Sequence, residues 1–234
     1  MPTRADALGV MAKAPIAGEV KTRLVPPLTQ EQAADLYRAL LLDQLEHLSR
    51  LTVAELYLVF APNSAAPLMW QLAPPNFYCF AQRSGDLGER MNAAFIDLWQ
   101  LGHRSVVLIG SDLPALPLGF LETAFDLLAT SIHQVVLGPS HDGGYYLVGM
   151  NQPTPEIFQD MRWSHDQVLA QTTDKLSKLG IPPALLPAWF DIDSVEDLKQ
   201  LEALPEPATR NAVQRTLSYL QGIGPLDRFN QSDQ

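Results

Sequence analysis

Cysteine and positive charge are scarce in this 234-residue sequence, and each shortage excludes a class of protein. The single cysteine, Cys79, can form neither an internal disulfide bond nor a cysteine-based zinc site. The net charge is −10 and no basic tract occurs, so we expect no nucleic acid and no anionic membrane as a partner. No window approaches the ~18 apolar residues of a membrane span. Because residues 1–6 also lack an apolar signal segment, we expect a cytoplasmic protein.

Motifs of nucleophilic catalysis are missing as well. The sequence has no Gly-x-Ser-x-Gly motif. Its five histidines show no metal-ligand spacing such as His-Glu-x-x-His. These gaps favour a group transfer that depends on substrate positioning and metal electrostatics over covalent catalysis.

Strand-like and helix-like segments alternate along the chain, which predicts an α/β fold. Short apolar runs occur at residues 7–12, 55–60, 77–81, 105–109, 134–138, 145–150 and 184–186. Helical spacing or capping signals occur at residues 30–51, 65–72, 89–101, 118–129, 165–179 and from 195 onward. This order predicts a mainly parallel sheet covered by helices on both faces.

Local signals refine this prediction at several boundaries. Thr29 to Gln32 reads as a capping box that opens the first long helix. Ser164 and Ser194 are predicted N-caps of later helices. Only a tight turn separates the runs 134–138 and 145–150, so these strands are expected to be antiparallel.

An aspartate, Asp112, follows a short apolar run that predicts a buried strand. The strand ends in Gly110-Ser111-Asp112-Leu113-Pro114, and the proline disfavours an immediate helix. The carboxylate is therefore presented beyond the carboxyl end of a strand, where open α/β sheets bind ligands. An acid in this place can hold a hard cation against a phosphate. A turn or a cap would satisfy it equally well, and the local pattern leaves both interpretations open.

A magnesium or manganese site at Asp112 would need a second carboxylate, because these cations prefer several oxygen ligands. Asp191 and Asp193 are candidates, since they come directly after a predicted strand and before a capped helix. Asp193 has an alternative role as a helix-start acid.

The loop after the first strand is the best candidate for phosphate binding. Lys13, Lys21 and Arg23 lie within it, and Gly18 allows a ligand to approach the backbone. Ammonium and guanidinium groups complement pyrophosphate. The glycine spacing before Lys21 does not match a P-loop. A solvated basic loop is the alternative.

A weaker signal comes from His141-Asp142-Gly143-Gly144 between the two antiparallel strands. Paired glycines are typical of a hairpin turn, although they could also let a bulky ligand lie against the backbone. His141 fits a surface residue as well as a catalytic one.

Taken together, these segments resemble the family called radical-SAM/selenodomain-associated transferase 1. Its members are small GT-A-type nucleotide-diphospho-sugar transferases, some of them labelled arsenosugar-biosynthesis glycosyltransferases. The resemblance covers roughly residues 7–204. It is carried by six ordered motifs, at residues 12–24, 85–91, 110–114, 138–149, 163–172 and 191–198.

The resemblance implies a three-layer Rossmann-like GT-A fold, with a mainly parallel sheet and one antiparallel strand. It implies one nucleotide-diphospho-sugar transferase domain, residues 1–204, followed by a partly helical C-terminal extension, residues 205–234. The implied reaction moves a sugar from a nucleotide-diphospho-sugar to a small-molecule acceptor, with Mg²⁺ or Mn²⁺ as the cofactor. Base, sugar, acceptor and oligomeric state are not readable from the sequence.

Site roles follow from the same resemblance. Asp112 and Asp193 would be the catalytic metal carboxylates, although Pro114 departs from a strict D-x-D motif. Asp142, Gly143 and Gly144 would face the sugar or the acceptor. The implied nucleotide-binding residues are Ala12, Lys13, Gly18, Lys21, Arg23, Gly85, Asp86, Leu87, Gly88, Arg90 and Ser111.

Two other functions stay open. Molybdenum-cofactor and phospholactate guanylyltransferases also carry motifs similar to G-S-D-L-P and D-I-D-S, so a nucleotidyltransferase that releases pyrophosphate is the alternative. The glycine-rich first loop of those enzymes is absent here. A non-catalytic nucleotide-sugar sensor would need the loop cations but not the metal carboxylates, and the presence of both counts against it.

Overall fold

A computed structural model describes residues 5–130, 132, 134–202, 204 and 210–224. Its seven strands are β1 (Asp6–Lys13), β2 (Ala54–Ala61), β3 (Phe77–Ala81), β4 (Val106–Gly110), β5 (Val135–Pro139), β6 (Tyr145–Met150) and β7 (Ala184–Leu185). They form one sheet in the order β3-β2-β1-β4-β6-β5-β7.

The helices pack on both faces of this sheet. They are α1 (Gln30–Leu48), α2 (Ala66–Leu72), α3 (Leu87–Gln100), α4 (Leu118–Ala129), α5 (Val168–Lys178), α6 (Val195–Glu202) and α7 (Gln214–Ile223). No helix within the described residues is both long and apolar enough to cross a membrane.

The strand directions confirm the predicted sheet. Strand β6 is antiparallel to both of its neighbours, β4 and β5, whereas all the other pairs are parallel. Alternate side chains enter two cores, as a pleated strand requires. Leu8 and Val10 of β1 pack in a core with α1, α2 and α4, while Ala7 packs in the opposite core with α3 and α5. The chain is thus a three-layer α/β protein.

Two of the predicted helix caps are confirmed. Thr29 and Gln32 form the expected capping box, with Gln32 N–H donating to Thr29 Oγ1 at 3.2 Å and Thr29 N–H donating to Gln32 Oε1 at 2.9 Å. Ser194 Oγ accepts a hydrogen bond from Asp197 N–H at 3.3 Å at the start of α6. A second capping box, not predicted, pairs Asp86 with Glu89 and starts α3 before the expected residue.

The predicted cap at Ser164 is wrong. Ser164 has a φ of 66°, in the left-handed region, and the helix begins only at Val168, with Gln167 in the N-cap position. Between them the chain makes one more turn, in which Gln167 N–H donates to His165 Nδ1 at 3.0 Å. Ser164 therefore belongs to the loop before α5 and does not cap the helix.

Beyond the sheet, α6 and α7 cover the outer side of α1. Leu36 and Leu40 of α1 form a third core with residues of these two helices, among them Leu198 and Leu220. Helix α7 lies within residues 205–234, for which the resemblance implies a partly helical segment. The division into a domain of residues 1–204 and an extension of residues 205–234 stays a prediction.

Candidate nucleotide and metal site

A cleft of about 670 Å³ opens at the carboxyl ends of β1 and β4. It is lined by the ends of these strands, the loop after β1, the start of α3 and the β5–β6 hairpin. This is the edge of an open α/β sheet at which ligands bind. The cleft is therefore the candidate functional site.

Helix α1 holds the loop that carries Asp112. Gln44 donates through Nε2 to Gly110 O at 2.8 Å and accepts through Oε1 from Leu113 N–H at 3.2 Å. One helical turn further on, His47 Nε2 lies 2.9 Å from Leu116 O. The loop backbone is thus fixed on both sides of Asp112, which gives its carboxylate a defined position.

Three carboxylates meet above this loop. One oxygen from each of Asp112, Asp191 and Asp193 lies within 4.8 Å of the others. Ile192 is fully buried, and its N–H donates to the backbone oxygen of Asp112 at 3.2 Å. Because Ile192 points into the core, the two aspartates that flank it project into the cleft. The expected meeting of Asp112 with the strand-end acids is observed.

Lys21 lies between two of these acids. Its Nζ donates to Asp112 Oδ2 at 2.6 Å and to Asp193 Oδ1 at 2.9 Å, and its side chain is only 5% exposed. Arg23 adds a more exposed contact, with Nη1 3.3 Å from Asp193 Oδ2. The loop after β1 therefore neutralises much of the negative charge of the cluster.

The electrostatics of the cluster follow from this arrangement. Burial lowers the pKa of Lys21, but the charges of Asp112 and Asp193 outweigh it and raise the pKa above its usual value. Burial raises the pKa of Asp193, and Lys21 and Arg23 more than reverse this, so the net shift is downward. Burial, and then the negative charges of the neighbouring aspartates, raises the pKa of Asp191 to about 7.

The donor set fits a hard divalent cation. Mg²⁺ and Mn²⁺ take oxygen ligands, and three carboxylates within mutual reach supply more than one such ligand. Asp191 was one of two candidates from the sequence, and it joins Asp193 at Asp112. The cluster could hold a metal through all three acids.

The predicted nucleotide-binding residues are largely gathered at the cleft. Those that line it are Ala12, Lys13, Lys21, Gly85, Asp86, Leu87, Arg90 and Ser111. Among the described residues, Gly18, Arg23 and Gly88 lie outside this lining. A Cβ on Gly88 would come 2.6 Å from the ring of Trp163, so this glycine lets the loop before α5 pack on α3.

Of the three residues predicted to face the sugar or acceptor, two line the cleft and one does not. Asp142 and Gly144 line the cleft, and Asp142 Oδ1 accepts from Gly144 N–H at 3.0 Å. Gly143 has a φ of 86°, and a Cβ there would lie 2.1 Å from the backbone oxygen of Asp166. The absence of a side chain at Gly143 thus allows the hairpin to contact the loop before α5.

Several cleft residues were not found by sequence reasoning. The sequence analysis assigned no site role to five residues that line the cleft: Tyr37, Gln82, Tyr145, Trp163 and His165. Gln82 Nε2 donates to Ala12 O at 3.2 Å and to Val59 O at 2.9 Å, joining β1 to β2 beside the cleft. The sequence signal that could have identified Gln82 as a cleft residue was its position, as a polar residue directly after a predicted strand.

Comparison with known proteins places this architecture in a family. A family model described as an uncharacterized protein conserved in bacteria (DUF2064) matches residues 44–165, more than half of the chain. The chain belongs to the DUF2064 family. No curated protein sequence is significantly similar to this DUF2064 member. The narrower family name suggested by the sequence motifs stays a prediction.

Solved structures share the fold of this DUF2064 protein. A Desulfovibrio desulfuricans G20 protein, described as a “putative nucleotide-diphospho-sugar transferase”, is 30% identical with a TM-score of 0.84, over 97% of this chain and 99% of that one. A Leptospira borgpetersenii cytidylyltransferase is 11% identical, with a TM-score of 0.59 over 99% of both chains. A Mycobacterium tuberculosis protein in complex with manganese is 15% identical, with a TM-score of 0.50 over 84% and 98%. The last two likenesses concern the fold alone.

Proposed function

We propose that this protein is a metal-dependent glycosyltransferase that moves a sugar from a nucleotide-diphospho-sugar to a small-molecule acceptor. The observation that carries the proposal is the meeting of Asp112, Asp191 and Asp193 with Lys21 in one cleft at the carboxyl edge of the sheet. The similarity to the Desulfovibrio transferase over nearly the whole chain supports the same class of substrate.

The acids would hold Mg²⁺ or Mn²⁺, with Asp112 and Asp193 as the main ligands and Asp191 as a third. When bound, the cation would supply positive charge against the diphosphate as the leaving nucleotide gains negative charge. Such a reaction needs no nucleophilic side chain of the protein, in agreement with the absence of nucleophilic-catalysis motifs from the sequence.

Other residues of the cleft would bind and orient the donor. Lys13 is exposed at the end of β1 and faces the cleft, where its ammonium can pair with a phosphate. Gly85 to Leu87, at the start of α3, would lie along the base and ribose. Arg90 Nε donates to Gly85 O at 2.7 Å, which fixes the shape of this loop.

The part of the cleft lined by the β5–β6 hairpin would receive the sugar and the acceptor. Asp142 on the hairpin offers a carboxylate to hydroxyl groups, and Tyr145 and Trp163 provide apolar surface beside it. Sugars combine polar edges with apolar faces, so such a wall suits them.

A panel of nucleotide sugars and nucleoside triphosphates, each with and without Mg²⁺ or Mn²⁺, tests the proposal. We expect a nucleoside diphosphate to be released from one of the nucleotide sugars only when metal is present. Pyrophosphate released from a triphosphate, with no turnover of any nucleotide sugar, would replace the proposal by nucleotidyl transfer. The G-S-D-L-P and D-I-D-S motifs are the observation that favours this second function.

A pair of variants tests the site. Asp112→Asn should abolish metal-dependent nucleotide binding measured by calorimetry and leave the thermal unfolding transition in place. Asp126→Asn changes an exposed acid of α4 and should bind as the unchanged protein does. Metal dependence that persists in Asp112→Asn would remove Asp112 from the metal site.

A further inference from the structure

The Lys21 ammonium lies where a metal ion would lie. It is bonded at 2.6 Å and 2.9 Å to carboxylate oxygens of Asp112 and Asp193, the two main ligands of the proposed metal. The oxygens of the three acids lie within 4.8 Å of one another, which leaves space between them for one cation. Like charges at this separation repel, so Lys21 and a dication cannot share the pair.

We propose that Lys21 and the divalent cation are alternative occupants of the Asp112–Asp193 pair. In the free protein the lysine holds the two carboxylates together, and binding of the metal releases the Lys21 ammonium into the cleft. There it can pair with the diphosphate of the donor. This inference rests on the proposed function and assigns Lys21 a second position within the same site.

The backbone conformation of Lys21 indicates that the ion pairs of its side chain hold the residue in place. Its φ of 48° and ψ of 38° are left-handed, a conformation that is unfavourable for a residue with a Cβ. The neighbouring residues are anchored independently, because Val20 and Leu24 are buried on either side. The ion pairs with Asp112 and Asp193 offset the strain at this one residue. Their loss would allow Lys21 to move without disturbing the rest of the loop.

Asp191 favours exchange of the two cations over permanent occupation of the Asp112–Asp193 pair by Lys21. Among the contacts of the described residues, Lys21 bonds Asp112 and Asp193, and Asp191 lies outside these ion pairs. A divalent cation takes more oxygen ligands than an ammonium has protons to donate, so it can use Asp191 as well. The cluster therefore offers the metal a ligand that the lysine leaves unused.

Binding of Mn²⁺ alone, measured as free Mn²⁺ by electron paramagnetic resonance, tests the exchange. Lys21→Met removes the competing charge and keeps much of the side-chain volume. If the lysine occupies the pair for all but about a tenth of the time, this variant should bind Mn²⁺ about tenfold more tightly than the unchanged protein. Lys13→Met removes a cleft charge that does not contact the acids, and we expect it to tighten binding by less than about threefold.

Measurements of thermal stability show whether each variant is folded and whether Mn²⁺ stabilises it. In EDTA, Lys21→Met should unfold at a lower temperature, because three acids then lie together without their ammonium. Added Mn²⁺ should raise its unfolding temperature by more than that of the unchanged protein. Lys21→Gln provides a second neutral variant if the methionine variant does not fold. Adding Asp112→Asn to either protein should abolish Mn²⁺ binding, which locates the ion at the acids.

The possible failures are distinct. Equal Mn²⁺ affinity in the unchanged protein and Lys21→Met would overturn the exchange and leave the proposed function in place. An equal gain in Lys13→Met would attribute the effect to the general field of the cleft and would also overturn it. Absence of Mn²⁺ binding in every variant would overturn both the exchange and the metal-dependent reaction.

Discussion

The hydroxyl oxygens of Tyr37 and Ser111 lie 2.6 Å apart, although 74 positions separate them in the sequence. Tyr37 Oη also accepts a hydrogen bond from Lys13 N–H at 3.1 Å, so its own proton is available for Ser111. Burial raises the pKa of Tyr37 to about 12, which keeps the hydroxyl protonated at neutral pH. One side chain of α1 thereby ties the end of β1 to the loop that carries Asp112.

Removing the Tyr37 hydroxyl should lower the stability of the folded protein by a measurable amount. Tyr37→Phe leaves the Lys13 N–H and the Ser111 hydroxyl without this partner, and we expect the free energy of unfolding to fall by about 1–2 kcal/mol. Urea denaturation followed by circular dichroism measures the change. Tyr78→Phe, at a side chain exposed on β3, should change stability by less than about 0.5 kcal/mol. Equal effects of the two substitutions would contradict a special role for the Tyr37 hydroxyl.

Asp191 should make the metal-free protein less stable as the pH rises. Its folded-state pKa, about 7, lies above the ordinary value of 3.8. Between these values the folded state keeps a proton that the unfolded state releases, so stability decreases from about pH 4 to pH 7. Asp191→Asn removes this cost. We expect the variant to match the unchanged protein near pH 4 and to exceed it by about 1–2 kcal/mol at pH 8, allowing for partial exposure.

Denaturant melts at several pH values in EDTA test this expectation. Asp126→Asn, an exposed acid on α4, serves as the control and should give a difference that does not depend on pH. A constant offset between Asp191→Asn and the unchanged protein across the range would mean that Asp191 is ionised in both states.

Gly143→Ala should be among the most damaging single substitutions in the β5–β6 hairpin. The residue has a φ of 86°, and the new Cβ would lie 2.1 Å from the backbone oxygen of Asp166. Gly180 has a similar φ of 72° with no atom within 4 Å of the same position. Gly180→Ala therefore measures the cost of the backbone conformation alone, about 1 kcal/mol. We expect Gly143→Ala to cost at least about 2 kcal/mol more, because backbone atoms must also move.

Thermal and chemical denaturation of the two alanine variants provide this comparison. Equal losses of stability would show that the hairpin and the loop before α5 can separate without cost. That result would also remove the structural role assigned to Gly143.

Asp43 should be essential for the attachment of α7. Its carboxylate is buried and accepts from Thr216 N–H and from Thr216 Oγ1, both at 2.8 Å, and from Arg215 N–H at 3.1 Å. It acts as an anion at the N-terminus of α7. Asp43→Ala leaves these donors unpaired, and we expect a loss of about 2–4 kcal/mol. The neighbouring Glu46 pairs with Arg215 at 2.6 Å from an exposed position, so Glu46→Ala should cost less than about 1 kcal/mol.

Hydrogen exchange of the α7 amides, together with urea denaturation, distinguishes local from global loss. Faster exchange confined to α7 in Asp43→Ala would assign the effect to this attachment. A loss of stability in Glu46→Ala equal to that in Asp43→Ala would contradict the importance of burial.

Much of the fold could be predicted because its signals are local. Alternating strand and helix patterns predict the parallel sheet, and the short link from Pro139 to Gly144 predicts the antiparallel strand. The meeting of Asp112 with Asp193 was also within reach, since residues that follow strands collect at one edge of a sheet. The order of the elements is not sufficient, however, because β6 and β5 separate β4 from β7, and the segment after β7 has to bring Ile192 back to the backbone of Asp112.

The remaining features depend on contacts that no local pattern encodes. Ser164 is a residue type that often caps helices, but the chain turns once more before α5, and distant contacts such as the packing of Trp163 on Gly88 and of Asp166 on Gly143 accompany that path. The cations of the first loop were interpreted as phosphate ligands, and nothing in their spacing predicts that Lys21 would lie between Asp112 and Asp193. Likewise, the helical spacing of α1 explains why Tyr37 is buried but not what its hydroxyl binds.

Two adjacent residues of α1 hold two different parts of the protein. Asp43 receives the donors of α7, and the next residue, Gln44, holds the backbone at Gly110 and Leu113. Trimming the chain after residue 204 to obtain a smaller catalyst would leave the Asp43 carboxylate without those donors, one peptide bond away from Gln44. A C-terminal truncation is therefore expected to affect more than α7, because the segment of α1 that it leaves unsupported also holds the loop that carries Asp112.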